Sequence, residues 1–160
     1  MTPEDDRRHM RAAIQASREA LQQGNFPYGA VLVSPAGEQL LVAGNNQVTS
    51  GDCTGHAEVV LIRAAAARLG PASLVGSSVY ASGEPCAMCA GALFWAGVAR
   101  VVFGIGNATI MRVGGAPTLA IPSSQVLAGG SRAVAVEGPL LEDEAAAVLA
   151  EAVRRRDAGA

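Results

Sequence analysis

The stretch Ser78-Val79-Tyr80-Ala81-Ser82-Gly83-Glu84-Pro85-Cys86-Ala87-Met88-Cys89 reads as a β-strand that runs directly into a helix. The strand covers Ser78 to Ser82. Pro85 stands at the helix entrance and Gly97 at its exit, so a helix is expected from about Cys86 to Ala96. Upstream, His56 begins a run of Val, Leu, Ile and Ala that reaches Leu69 and stops at Gly70-Pro71, which makes a second helix before the strand. Downstream, Arg100 to Gly104 is another strand. Helices that alternate with strands in this way point to parallel pairing with right-handed crossovers.

Further out the pattern changes. Ala30 to Val33 and Gln39 to Val42 are short β-type runs joined by Ser34-Pro35-Ala36-Gly37-Glu38, the mark of an antiparallel hairpin. Before them Met10, Ala13, Ile14, Ser17 and Leu21 recur at helical spacing behind a Thr2 cap, Pro3 and a run of acids, which gives a first helix over about residues 4 to 23. Residues 105 to 122 are Gly-rich and irregular and are expected to form a loop that lines a pocket. Ser123 to Leu127 is expected as a short helix, Ala133 to Glu137 as a fifth strand, and Leu141 to Arg156 as a last amphipathic helix. The expected architecture is a three-layer α/β/α sandwich on a five-stranded mixed sheet, an antiparallel hairpin plus parallel strands, in a single domain over 1–160.

Composition narrows the function classes. The 160-residue chain carries a formal charge of −2, with a sequence pI near 5.6. Nucleic-acid binding draws on a basic face, and the only clusters are Arg7-Arg8 and Arg154-Arg155-Arg156, which read as solvated helix termini. A nucleic-acid partner is therefore not expected. Three cysteines build no secretory framework. No apolar run approaches the roughly 20 residues that span a bilayer, and the acidic start lacks a signal-peptide core. A reducing, cytoplasmic setting without membrane contact is expected.

The chemistry lies in two short stretches, His56-Ala57-Glu58 and Pro85-Cys86-Ala87-Met88-Cys89. A catalytic zinc site keeps three protein ligands and one open position. His56, Cys86 and Cys89 supply three ligands, and helix starts favour the thiolate form that binds metal. Glu58 is left free to move protons. Each part has a plainer reading when taken alone. Cys-x-x-Cys also serves redox chemistry or half of a structural zinc knuckle, Cys53 is a conceivable fourth ligand, His56 is a possible cap, and Glu58 is an acid favoured by the helix dipole. Cys53 by itself reads as a small packed side chain and His9 as an exposed helix residue. The combination, 86 − 56 = 30 positions apart and each at a helix start, is far more specific than its parts.

At these residues the sequence resembles the cytidine deaminase superfamily. It is most similar to the branch of guanine deaminases and tRNA adenosine deaminases, through Pro27-Tyr28-Gly29-Ala30-Val31-Leu32-Val33, Gly55-His56-Ala57-Glu58, Glu84-Pro85-Cys86-Ala87-Met88-Cys89-Ala90-Gly91-Ala92 and Arg100-Val101-Val102-Phe103-Gly104. The resemblance implies a cytidine deaminase-like fold and one zinc ion per chain held by His56, Cys86 and Cys89. It implies that Glu58 carries protons from water to the ring and then to the departing amine. The backbone N–H groups of Ala57 and Cys86 would steady the developing oxyanion. It further implies an Asn that orients the base: counting back from His56 favours Asn45, while a Gly-x-Asn pattern from Gly44 favours Asn46. Phe26 and Tyr28 would wall the pocket or serve the first strand. Trp95 would be a core or dimer contact, and a homodimer through the zinc-bearing helices is implied.

The substrate classes separate on the segment after strand four. Gly106 to Gly115 does not match the pattern of relatives that grip tRNA, which favours a small-molecule nucleobase or nucleoside. Guanine or a related aminopurine comes first, cytosine or an aminotriazine next, and the tRNA wobble adenosine is the alternative. Non-catalytic zinc scaffolds typically lack the shuttling acid, which this chain has in Glu58. The resemblance to guanine deaminases implies an aromatic C-terminal tail over the site, but the sequence given ends Arg156-Asp157-Ala158-Gly159-Ala160 without such an aromatic, so either the lid comes from elsewhere, such as residues 105 to 122, or the substrate differs.

Overall fold

The computed structural model describes residues 1–115 and 118–159. Its elements in chain order are α1 (Pro3–Gln22), β1 (Gly29–Val33), β2 (Gln39–Gly44), the single turn α2 (Gln47–Ser50), α3 (Ala57–Leu69), a 3₁₀ turn (Pro71–Leu74), β3 (Ser78–Gly83), α4 (Ala87–Ala96), β4 (Arg100–Ile105), α5 (Asn107–Gly114), α6 (Ser123–Ala128), β5 (Ala135–Glu137) and α7 (Glu142–Asp157). The sheet order is β2-β1-β3-β4-β5. β1 pairs antiparallel with both β2 and β3, and β3, β4 and β5 run parallel.

Alternation along the strands divides the core. Val31, Val33, Tyr80 and Val102 face α1, α5 and α7, where they meet Met10, Ile14, Ile110 and Val148. Ala30, Leu32, Val79 and Val101 face the opposite way, onto Leu61 of α3, Leu93 of α4 and Leu127 of α6. The central strands are apolar on both faces because helices cover both. The result is the expected three-layer sandwich. Layer spacing is set at Gly29, where a Cβ would lie 2.3 Å from the Ala13 carbonyl oxygen and 2.5 Å from the Ser17 amide, so α1 packs backbone to backbone on β1. Gly97 ends α4 in the left-handed region at φ 87°, a conformation that costs glycine little.

The structure corrects two expectations. Residues 105 to 122 are not an irregular loop throughout, since α5 occupies Asn107–Gly114 and buries Ile110. Its first amide is capped by the side chain of Glu84, 23 positions earlier in the chain. Residues 116 and 117 of that segment lie outside the described residues. His9 is buried at 2% exposure rather than exposed, because the packed stripe of α1 is wide enough to take in His9, Ala16 and Ala20 as well as the Met10 row. Its ring lies 5.2 Å from that of Tyr80.

A polar network ties the layers together toward the starts of β3 and β4. Arg100 grips Asp6 of α1 with two parallel bonds of 2.8 and 3.0 Å. It reaches Glu137 of β5 at 2.8 and 2.6 Å. Tyr80 donates its hydroxyl to Asp6 as well. Bidentate guanidinium–carboxylate pairs are among the strong polar contacts. The Arg100 guanidinium holds the Asp6 carboxyl below its ordinary value of 3.8, against the opposing effect of burial.

Asp6→Asn is expected to lower stability at neutral pH by about 1–3 kcal/mol, as for a lost hydrogen bond to a charged group. Because the folded-state value is depressed, this stabilisation is present above the ordinary value and is lost as pH falls through the folded one. Urea denaturation should therefore show a gap between wild type and variant at pH 7 that closes below about pH 4.

Candidate active site

α3 and α4 begin side by side and deliver the reactive groups. His56 caps α3 and Cys86 caps α4, both with extended backbone. Ala57 and Glu58 are the first two residues of α3, and Cys89 is the third of α4. Cys86 Sγ lies 3.7 Å from His56 Nδ1 and 3.7 Å from Cys89 Sγ, and the three ligand atoms lie within 4.8 Å of one another. Tetrahedral zinc with the usual bond lengths separates two sulfurs by about 3.8 Å and a sulfur from a nitrogen by about 3.6 Å. The donor set thus fits that ion in chemistry and spacing. Among the described residues it is the one group of three such donors.

The electrostatics of the cluster favour a thiolate at Cys86. A hydrogen bond from Cys89, with help from His56, holds Cys86 down to about 4 against the effect of burial, and the same bond together with burial raises Cys89. His56 is raised chiefly by its contact with Cys86. Burial raises Glu58, which is only 7% exposed, well above the ordinary carboxylate range. A shift in this direction favours the protonated acid.

These groups open onto a cavity of about 450 Å³ whose walls include Phe26, Tyr28, Asn45, His56, Glu58 and Cys86. Phe26 stands half exposed at the rim. Tyr28 is more deeply set, and its phenol is pushed up to about 12 by burial and by Glu58. Asn45 lines the cavity and is 3% exposed. Asn46 instead turns to the 50–55 loop, where its carbonyl accepts from Ser50 and a Cβ on Gly55 would lie 2.3 Å from its Oδ1. Ala57 is buried and adds no side-chain wall; it stands between His56 and Glu58 with its N–H in the first helical turn, where amides lack intrahelical partners. Cys53 is exposed at the cavity wall, which corrects its reading as a packed side chain. Trp95 is 84% exposed, outside the core and away from the cavity lining.

Two wall residues carry more than their sequence context shows. Glu84 Oε2 accepts from the Asn107 amide at 2.8 Å, and Oε1 accepts from the Ser123 amide and hydroxyl at 2.9 and 3.1 Å. One carboxylate thus caps α5 and α6 together and fixes both ends of the segment whose Thr118 and Leu119 reach the cavity. An acid one residue before the Pro-Cys motif was the only local signal. Gln47 is the other such residue, and it holds the side chain of Asn45.

Residues 3–105 match the family of the cytidine and deoxycytidylate deaminase zinc-binding region. The chain belongs to this family. It is therefore a deaminase, a hydrolase acting on C–N bonds, with zinc as its cofactor. It is 38% identical over 149 residues to a probable cytosine deaminase of Schizosaccharomyces pombe (strain 972), covering 89% of this chain and 88% of that one. It is 40% identical over 99 residues to the tRNA-specific adenosine deaminase of Bacillus subtilis (strain 168), 62% of this chain and 61% of that one. A solved guanine deaminase from Nitrosomonas europaea shares the fold, with a TM-score of 0.78 and 23% identity over 90% of this chain and 82% of that one.

Glu84→Ala should free both helix starts at once. Stability is expected to fall by about 1–3 kcal/mol in urea denaturation, the cost of stranding charged-group hydrogen bonds, and hydrogen exchange at the Asn107 and Ser123 amides should quicken.

Proposed function

We propose that the chain is a zinc-dependent hydrolytic deaminase of a free nucleobase or nucleoside, with His56, Cys86 and Cys89 as the ligands of one zinc ion and Glu58 as the proton carrier. The reading rests on a buried, raised carboxylate set beside a three-donor cluster, with a cavity in front of both. Zinc supplies, when bound, the Lewis acidity that makes water a nucleophile at neutral pH. Glu58 accepts one proton from the attacking water and delivers it to a ring nitrogen, then takes the second from the hydroxyl so added and delivers it to the departing amine. The balance is water plus an amino-substituted ring giving a ring carbonyl and ammonia. Asn45 orients the base from the cavity wall, Phe26 closes one side of it, and the Ala57 N–H stands where negative charge develops on oxygen.

Guanine or a related aminopurine is the first substrate class and cytosine or an aminotriazine the second. The near end-to-end match to a probable cytosine deaminase favours the second reading. The tRNA wobble adenosine is the third, supported by the tRNA-specific relative over 61% of its length. The acidic balance of the chain and the Gly106 to Gly115 segment speak against it. The proposal includes a cytoplasmic homodimer formed through the helices that carry the site. Trp95 on α4, 84% exposed, provides an aromatic of the kind enriched at interfaces.

Purified protein is expected to release ammonia from guanine or cytosine and not from a tRNA anticodon stem-loop; turnover on the stem-loop alone would overturn the small-substrate reading. Glu58→Ala should lower kcat by about 10²–10⁴-fold while metal analysis still finds one zinc per chain, and undiminished turnover would remove Glu58 from its role. Chelation should abolish activity, and added zinc should restore it. Sedimentation should show a dimer of the 16.2 kDa chain.

A further inference from the structure

Apart from the metal donors and Glu58, most polar side chains around the cavity are engaged with the protein itself. Asn45 donates to Gln47, which donates in turn to the Cys53 carbonyl at 3.1 Å. Thr54 donates its hydroxyl to Asp52 at 2.7 Å, Asn107 donates to the Ile121 carbonyl at 3.3 Å, and both Glu84 oxygens accept from helix-start amides. Tyr28 differs. Its hydroxyl meets no hydrogen-bond partner among the described residues, and its phenol feels only burial and the charge of Glu58. The other tyrosine shows the usual arrangement, since Tyr80 donates to Asp6 and accepts from Arg100 at 2.9 Å. A buried tyrosine normally finds a partner for its hydroxyl. A phenylalanine would fill the same space without withdrawing a polar group from water.

The side chain is held on rigid elements. The Tyr28 N–H donates to the Phe26 carbonyl at 2.8 Å, and its own carbonyl accepts from the Asn45 amide at 2.9 Å. Its ring lies against Gly83 at the end of β3, where a Cβ would come 2.9 Å from both Cδ1 and Cε1. Among the described residues, the one wholly enclosed side-chain nitrogen or oxygen without a partner is His9 Nδ1. The Tyr28 hydroxyl therefore keeps access to open space. Tyr28 borders two cavities, the catalytic one and a neighbour of about 560 Å³ toward α7, which also share Phe26, Ile110 and Thr118. Gly83 and Glu58 line the first and not the second. The ring contact with Gly83 and the effect of Glu58 thus both set the phenol on the catalytic side.

We propose that Tyr28 binds the substrate directly, its hydroxyl donating a hydrogen bond to an acceptor atom on the base. The assignment rests on the functional reading above, in which the base enters this cavity, and adds to it a contact from the start of β1. A phenol pushed up to about 12 keeps its proton at neutral pH, so the group is a donor throughout the range in which the reaction runs. Guanine, cytosine and the aminotriazines all present ring nitrogens that accept such a bond. The bound base would supply the partner that the protein withholds, which accounts for a tyrosine where packing alone asks for a phenylalanine.

The test compares zinc-loaded wild type with Tyr28→Phe on the free base or nucleoside that the wild type deaminates best. Phenylalanine keeps the ring on Gly83 and removes only the hydroxyl, so thermal melts and zinc content should match between the two proteins. KM should rise by about 3- to 10-fold, the loss of one hydrogen bond to an uncharged group. kcat should change by less than about 2-fold, because the bond is made in the ground state and the transition state alike. A purely structural tyrosine predicts no change in KM for a folded protein with its metal in place. An unchanged KM in Tyr28→Phe therefore overturns this inference alone. A fall in kcat with KM unchanged also overturns it, since the hydroxyl would then act in the reaction and not in binding. Failure of the wild type to deaminate any free base or nucleoside overturns the functional reading and this inference with it.

Discussion

Everything at the site depends on two helices beginning at one point. His56, Cys86 and Cys89 must bring their donor atoms within 4.8 Å of one another, although His56 and Cys86 are 86 − 56 = 30 positions apart. Helix starts suit this demand for two reasons. The capping residue has extended backbone, so its side chain can lie across the helix end, and the unpaired first-turn amides give that end partial positive charge. Thiolates gain from both. The same geometry explains why Glu58 stays free: as the second residue of α3 it follows His56 into the helix and is buried beside the cluster, where burial favours its protonated form.

The sandwich holds that point fixed. β3 runs straight into the turn before α4, and α3 is packed through Leu61 onto the same sheet face as Leu93 of α4. On the other face, α1 meets β1 without side chains between them at Gly29. A change in either layer's spacing would therefore be felt at the donors. The cavity walls come from different parts of the chain, the 26–28 turn, the α2 turn, α5 and the segment before α6, and these are tied in by single polar side chains, Asn25 on one side and Glu84 on the other.

The parts of this arrangement carried by local pattern were legible in the sequence. The strand into Pro85-Cys86, the hairpin around Gly37, the apolar run behind His56 and the placement of both motifs at helix starts all follow from near-neighbour chemistry. What was not legible depends on contacts distant in sequence. α5 hides in a Gly-rich stretch because its cap, Glu84, lies 23 positions before Asn107. The burial of His9 follows from the width of the contact between α1 and the sheet, which periodicity underestimates when a polar residue sits on the edge of the stripe. Asn45 and Asn46 are adjacent and alike, and only the turn at α2 decides which one faces inward. Cys53 is small and apolar enough to suggest packing, yet its loop holds it at the cavity mouth.

The Asp6–Tyr80–Arg100–Glu137 network has a consequence for how such a protein can be altered. It joins α1, β3, β4 and β5 toward the strand starts, whereas the metal donors gather beyond the strand ends. Robustness and chemistry thus occupy separate territories of one sheet. An engineer seeking heat resistance could rework the first without trespassing on the second, and mutations accumulating in a lineage could retune the cavity while the far end keeps the architecture intact.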